Sequence, residues 1–180
     1  GVGLHKRGYR TNDVTAPIKE TLASAMIQLS FWREGRLLVD PCCGSGTIPI
    51  EAAMIGRNIA PGLTRTFACE EWELIPKEMW KEERQAAYGE IKYDADIRIQ
   101  ASDIDKRALL AAHENAIEAG VDDCIEFKVM DIAKMEACCK ENNIDTTGFT
   151  FKQADDIFDI HEDPMSIVKK RTNTSLHVAF

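Results

Sequence analysis

Asp40, Asp103 and Asp131 each close a short run that reads as a strand, and Gly44 and Gly46 follow the first of them. These residue types suit the holding of a small polar ligand. A carboxylate can accept from two neighbouring hydroxyls at once. Glycine allows backbone angles and close approach that a side chain forbids.

Such groups act together only if strands bring them to one edge. Leu37–Val39 reads as a buried strand, ended by Asp40 and Pro41 because proline gives no amide hydrogen to a sheet. Residues 97–103 read as a second strand and residues 125–131 as a third, with clean alternation in the last. Thr47 to Ile55 is expected to be a helix, with Ile48, Ala52 and Ile55 on one face. Asp105 is placed to cap another helix that runs to about Ala119, with Leu109, Ala112 and Ala116 inward and Gly120 as its stop. Ahead of these, Ile18 to Phe31 carries Ile18, Leu22, Ala25, Met26 and Leu29 at helical spacing, with Pro17 in the first turn and Thr15 or Asp13 as cap. The order is α/β, a Rossmann-like fold with a parallel core. In such a sheet the strand ends line the ligand crevice.

Residues 57–96 form an insertion too long for a simple crossover, with a helix expected over Lys77–Tyr88. Its Trp72 and Trp80 read as packing residues. After Asp131 the pattern fades. A short helix over Ala133–Lys140 and weak strands at residues 149–151 and 157–160 are the expectations there, and Thr172–Phe180 carries no strong pattern. One domain results: residues 1–133 as its cofactor-binding part, and residues 134–180 as a diverged or truncated C-terminal segment.

The net charge of −8 argues against a free-standing nucleic-acid binder, though not against a module whose partner domain grips the nucleic acid. The clusters His5, Lys6, Arg7, Arg10 and Lys169, Lys170, Arg171 read as solvated faces. The six cysteines lack C-x-x-C spacing and read as small buried or semi-buried residues in a reduced, cytoplasmic setting, with no metal. No apolar run reaches the roughly 20 residues of a membrane helix.

Charge separates two ligands. A dinucleotide fold wants G-x-G-x-x-G, but Pro49 stands at the third glycine position. A pyrophosphate is also repelled by a carboxylate beside the turn, where Asp40 lies. S-adenosylmethionine (SAM) carries a sulfonium and an ammonium, which that carboxylate favours. Asp103 then suits the ribose hydroxyls, and Asp131 the adenine N6. Glu51, near the turn, is either a solvated helical glutamate or a group that orients the loop or the cofactor's amino end.

Residues 40–53, DPCCGSGTIPIEAA, closely resemble the D-P-x-C-G-S-G-T-x-x-I-E-A-A signature of the ribosomal RNA guanine-N2 methyltransferases, a family whose members are often labelled N6-adenine-specific DNA methylases. Residues 4–10 and 16–23 resemble the lead-in to that family's methyltransferase domain, residues 58–63 and 71–72 its insertion, and residues 103–105 and 131–132 its ribose and adenine motifs. The resemblance covers residues 1–133. It implies SAM as cofactor, with contacts from Thr15, Pro17, Asp40, Cys42, Gly44, Ser45, Gly46, Asp103, Ile104, Asp131 and Ile132. It implies ribosomal RNA as partner, gripped by an N-terminal RNA-binding (THUMP) part that this sequence lacks, and no membrane.

The family's catalytic tetrapeptide, Asn or Asp, Pro, Pro, then Tyr or Phe, is not found. Asp163-Pro164 continues as Met165-Ser166. No catalytic residue is therefore assigned. The expectations are a SAM-dependent module acting on an exocyclic base amine, guanine N2 of 23S ribosomal RNA, against a non-catalytic SAM-binding fragment or a DNA adenine-N6 methyltransferase. Missing later strands would leave an open sheet edge that favours self-association.

Overall fold

The computed structural model describes residues 3–11, 17–134, 140–141 and 177–178. Four helices, α1 (Glu20–Leu29), α2 (Thr47–Gly56), α3 (Lys77–Gly89) and α4 (Lys106–Ala119), alternate with strands β1 (Leu37–Asp40), β2 (Arg98–Asp103) and β3 (Ile125–Val129). A two-residue strand, β4 (His177–Val178), comes last. The sheet order is β3-β2-β1-β4, with every pairing parallel. The register sets Asp40 opposite Ala101 and Asp103 opposite Val129. All three long strands therefore end along one edge.

α2 packs against both α1 and α4, and α2 and α4 cover the strands. This explains why α2 is buried from Thr47 through Met54, where sequence spacing placed only one face inward. Leu38, Ile50, Ala52, Ala53, Ile99 and Ala116 form the centre of the core. α4 matches expectation: the Asp105 carboxylate accepts from Arg107 N, Leu109, Ala112 and Ala116 are buried, and Gly120 closes the helix at φ 69°. Residue 120 needs that left-handed angle, which glycine takes without strain.

α1 departs from its expected span and face. It starts at Glu20, so Pro17 lies ahead of the first turn. The Ile18 carbonyl is held by the Arg10 guanidinium at 2.7 Å, and Lys19 stays extended at ψ 139°. The helix ends at Leu29, where Ser30 Oγ donates to the Ile27 carbonyl and Phe31 turns to φ 58°. Its buried side is Glu20, Ala23 and Ile27, while Leu22, Ala25 and Leu29 face solvent. The ion pair between Arg10 and Glu20 draws that side inward.

The insertion is organised by Arg84 of α3. Its guanidinium donates to the carbonyls of Gly62, Leu63 and Arg65 and to Glu70 Oε1. Trp80 stacks on Phe67 with ring centroids 6.2 Å apart, as a packing residue should. Trp72 does not pack; it is 59% exposed. Arg57 ties the start of the insertion to the α4–β3 turn through paired bonds to Asp123 at 2.9 and 2.6 Å.

Of the expected helix over residues 133–140, the described residues show a single turn over Ile132–Lys134 and helical backbone at residues 140–141. The expected strands at residues 149–151 and 157–160, Thr15, the basic cluster at residues 169–171 and Asp163-Pro164 lie outside the described residues. β4 arises within a stretch that showed no strong sequence pattern, and its partner is the central strand. No described helix is long and apolar enough to cross a membrane.

Candidate cofactor-binding site

β1 runs buried into the turn at residues 41–46. Cys43 N donates to the Ser102 carbonyl at 2.9 Å, and Ser102 Oγ donates to the Pro41 carbonyl at 3.4 Å, so the turn is tied to the end of β2. Gly46 N returns to the Cys43 carbonyl at 2.8 Å. Gly44 and Gly46 take φ 53° and 82°. At Gly46 an added Cβ would lie 3.0 Å from Ala112 Cβ and 3.2 Å from its Cα, so any larger residue crowds α4 as well as straining the left-handed backbone.

Asp103 joins the two strand ends. Its Oδ2 accepts from Gly44 N and its Oδ1 from Asp105 N, both at 2.9 Å. Each oxygen keeps a lone pair for a further donor. The Asp103 carbonyl accepts from Met130 N at 3.1 Å, which holds the chain leaving β3 beside β2. Asp131 follows there, exposed, and Ile132 is half-buried. Ile104 is exposed beyond Asp103. Ser45 is buried in the turn, whereas Cys42 is exposed, where a buried or semi-buried cysteine was expected from sequence. No group of acids, histidines and cysteines suited to a metal occurs among the described residues.

Asp40 is 1% exposed. Its Oδ1 accepts from Cys42 N at 3.2 Å, while its Oδ2 is buried without a hydrogen-bond partner. Burial, with the negative Asp103 nearby, pushes its carboxyl up to about 7, against the opposing pull of the Cys42 amide. A buried acid with an unsatisfied oxygen, a second acid and a glycine turn suit a ligand that brings both positive charge and hydroxyl donors.

Three further residues build the site without having been singled out for it in the sequence. Asn115, fully buried, accepts from Thr11 N and donates to the Ser45 carbonyl, both at 3.1 Å. Its signal was a polar residue at an inward position of α4, three residues after Ala112. Arg10 donates to Thr47 Oγ1 at 2.7 Å, and Ser102 anchors the turn. Arg7 and Arg10 are therefore partly buried network members, not the solvated face that composition suggested.

Glu51 is buried, not solvated. It accepts from Arg7 Nε and Nη2 at 3.3 and 3.4 Å and from the Tyr9 hydroxyl at 3.1 Å. Burial outweighs the Arg7 attraction, so its carboxyl sits above the usual range. Burial, and then Glu51 itself, raises the Tyr9 hydroxyl far above its ordinary value. The pair thus costs desolvation and fixes position. Glu51→Ala should lower stability by about 3–4 kcal/mol, because it strands Arg7 and Tyr9. Glu51→Gln should cost less, about 1–2 kcal/mol, since its one carbonyl oxygen can keep the bonds from Arg7 Nε and the Tyr9 hydroxyl while the bond from Arg7 Nη2 is lost. Chemical denaturation checks both, and equal losses would show that geometry is not what Glu51 supplies.

Fold and turn together define a Rossmann-like α/β domain of the cofactor-binding kind, with the ligand edge at the carboxyl ends of β1, β2 and β3. Residues 7–147 match the family model described as RMKL-like, methyltransferase domain, and the chain belongs to that family. It is 54% identical over 132 residues to the provisionally named RNA methyltransferase YpsC of Bacillus subtilis (strain 168), covering 73% of this chain and 34% of that protein. It is 45% identical over 142 residues to ribosomal RNA large subunit methyltransferase K/L of Aliivibrio fischeri (strain MJ11), covering 76% of this chain and 20% of that protein. The chain thus spans about a third or less of these relatives. Among solved structures, a possible methylase from Clostridium difficile 630 aligns at TM-score 0.70 and 51% identity, over 73% of this chain and 34% of that one. SMU.472, crystallised with S-adenosylhomocysteine (SAH), aligns at TM-score 0.67 and 47% identity, over 71% and 33%.

Proposed function

We propose that this chain is the cofactor-binding module of a SAM-dependent RNA methyltransferase that acts on an exocyclic amine of a base, guanine N2 of large-subunit ribosomal RNA. The observation that carries the reading is the Asp103 carboxylate bonded to Gly44 N beside the buried Asp40. The relatives named for RNA methylation and the SAH-bound structure support the class. Asp103 receives the ribose hydroxyls, and the negative field of Asp40 favours the sulfonium and ammonium. The turn from Cys42 through Ser45 to Gly46 lies along the amino-acid tail. Asp131 takes the adenine amine, with Ile104 and Ile132 against the ring; the family resemblance adds Thr15 and Pro17 to the contacts.

Bound SAM would supply the methyl group from its sulfonium, with the sulfur–methyl bond exchanged for a nitrogen–methyl bond, SAH left as a neutral thioether and one amine proton released to solvent. The protein's share is alignment, with the reacting atoms held at about 3 Å. RNA is gripped by an N-terminal domain outside this sequence, and the protein works in the cytoplasm. Self-association through an open sheet edge belongs to this reading as well; at the β3 edge the exposed charges of Glu126 and Lys128 oppose strand addition.

Calorimetric titration with SAM, SAH and NAD tests the central claim. SAM and SAH should bind and NAD should not; the reverse would refute it. A second reading is cofactor binding without turnover, favoured by the sequence at residues 163–166, which departs from Pro-Pro-aromatic. Methyl transfer by this chain to undermethylated ribosomal RNA, with adenine-containing DNA as a parallel substrate, separates the readings.

A further inference from the structure

The geometry points to a phosphate-binding cleft beside the cofactor turn, where the backbone of the RNA strand that carries the target base lies. A cavity of about 480 Å³ opens between residues 5–10, the start of α1 and the loop at residues 64–66. That volume falls within the range of about 300–1,000 Å³ typical of ligand clefts. Lys6, Arg10, Lys19 and Arg65 line it against one carboxylate, Glu20, with the hydroxyl of Thr64 beside them. Four cations around one cavity are a sharp local excess in a chain of net charge −8.

The fold assembles this excess. Arg65 donates to the Lys6 carbonyl at 2.6 Å, which fixes the insertion loop against the N-terminal segment. Arg10 lies against Glu20 at 3.9 Å, so the buried acid is offset. Lys6 and Lys19 are exposed on the cavity wall and make no ion pair among the described residues. The cavity also borders the site: Arg10, in its wall, bonds Thr47 Oγ1, and Thr47 immediately follows the glycine turn. With four cations and His5 as the one ring among the lining residues, the cleft suits phosphodiester oxygens more than base faces. The cleft would therefore position a strand irrespective of its sequence. This inference rests on the reading of an RNA substrate.

The test measures binding of a labelled single-stranded RNA oligonucleotide to the whole chain by fluorescence anisotropy over a salt series. SAH binding by calorimetry runs in parallel. Lys6→Glu with Lys19→Glu should weaken RNA binding at least tenfold, since two phosphate contacts are lost, and should reduce the salt slope by about 1.4, at about 0.7 for each single-strand phosphate. Arg33→Glu with Lys92→Glu makes the same charge change on exposed residues near the opposite ends of the strands and should leave both quantities unchanged. Both doubles should keep SAH affinity, which also shows that they fold. Equal weakening by the two doubles, no effect of the first, or no RNA binding by the unaltered chain overturns the inference. Failure of the unaltered chain to bind SAH would instead strike the cofactor reading.

Discussion

Asp103→Ala lowers the affinity for SAH by about 2–4 kcal/mol, roughly a hundredfold at the midpoint. On the proposed placement of the ribose, charge-assisted bonds to its two hydroxyls account for part of the loss. The rest comes from the turn. Asp103 also accepts from Gly44 N and Asp105 N, and both amides lose their partner in the variant. An amide left unpaired costs about 1–3 kcal/mol if water cannot reach it. Gly44 then leaves the position in which its backbone can lie against the ligand. Asp103→Asn should fall between the two, because its single carbonyl oxygen can replace one acceptor but not both. Calorimetry on the three proteins gives the order, and an unchanged affinity in Asp103→Ala would remove Asp103 from the site.

Acidification below about pH 7 weakens SAH binding by up to tenfold per pH unit. The Asp40 carboxyl, lifted to about 7 by burial, is the group responsible. A cation bound nearby favours the ionised form, so binding expels the proton that Asp40 carries in acid. Proton release on binding should therefore be seen near neutrality, as a dependence of calorimetric heat on the buffer. The stability of the free protein runs the other way. A carboxyl whose folded value is raised contributes stability that is present in acid and lost as pH rises through about 7. Asp40→Asn should thus stabilise the free chain at pH 8, bind SAH more weakly and flatten the pH profile of binding. If affinity in the unaltered chain stays level from pH 8 to 5, Asp40 is not coupled to the ligand.

Much of this site is legible in the sequence. The β1 run, the paired glycines and the strand-end acids are local patterns, and a parallel sheet allows few ways to place them. α4 was equally legible, since its cap, inward face and glycine stop all lie within one stretch. What sequence hid was set by partners distant along the chain. The buried side of α1 follows from Arg10, which meets Glu20 and the Ile18 carbonyl. The burial of Glu51 follows from Arg7 and Tyr9, more than forty residues away. Asn115 joins Thr11 to Ser45 across a helix. A hydrophobic period cannot show such bonds, because a charged residue on a helix looks solvated until its counter-ion is placed. β4 was hidden for another reason: two residues are too short for a period.

The bonds from Arg7, Tyr9, Arg10 and Thr11 bear on where the cofactor domain begins. Through Glu51, Thr47 and Asn115 they reach the first helix after the turn and, by way of Asn115, the Ser45 carbonyl of the turn itself. A domain boundary drawn at β1, where the nucleotide-fold pattern starts, cuts through the ligand site's own scaffolding. Arg7, Tyr9, Arg10 and Thr11 thus act as a brace behind the glycine turn rather than as a linker, and a displacement of these residues is delivered to the turn through the side chains they hold.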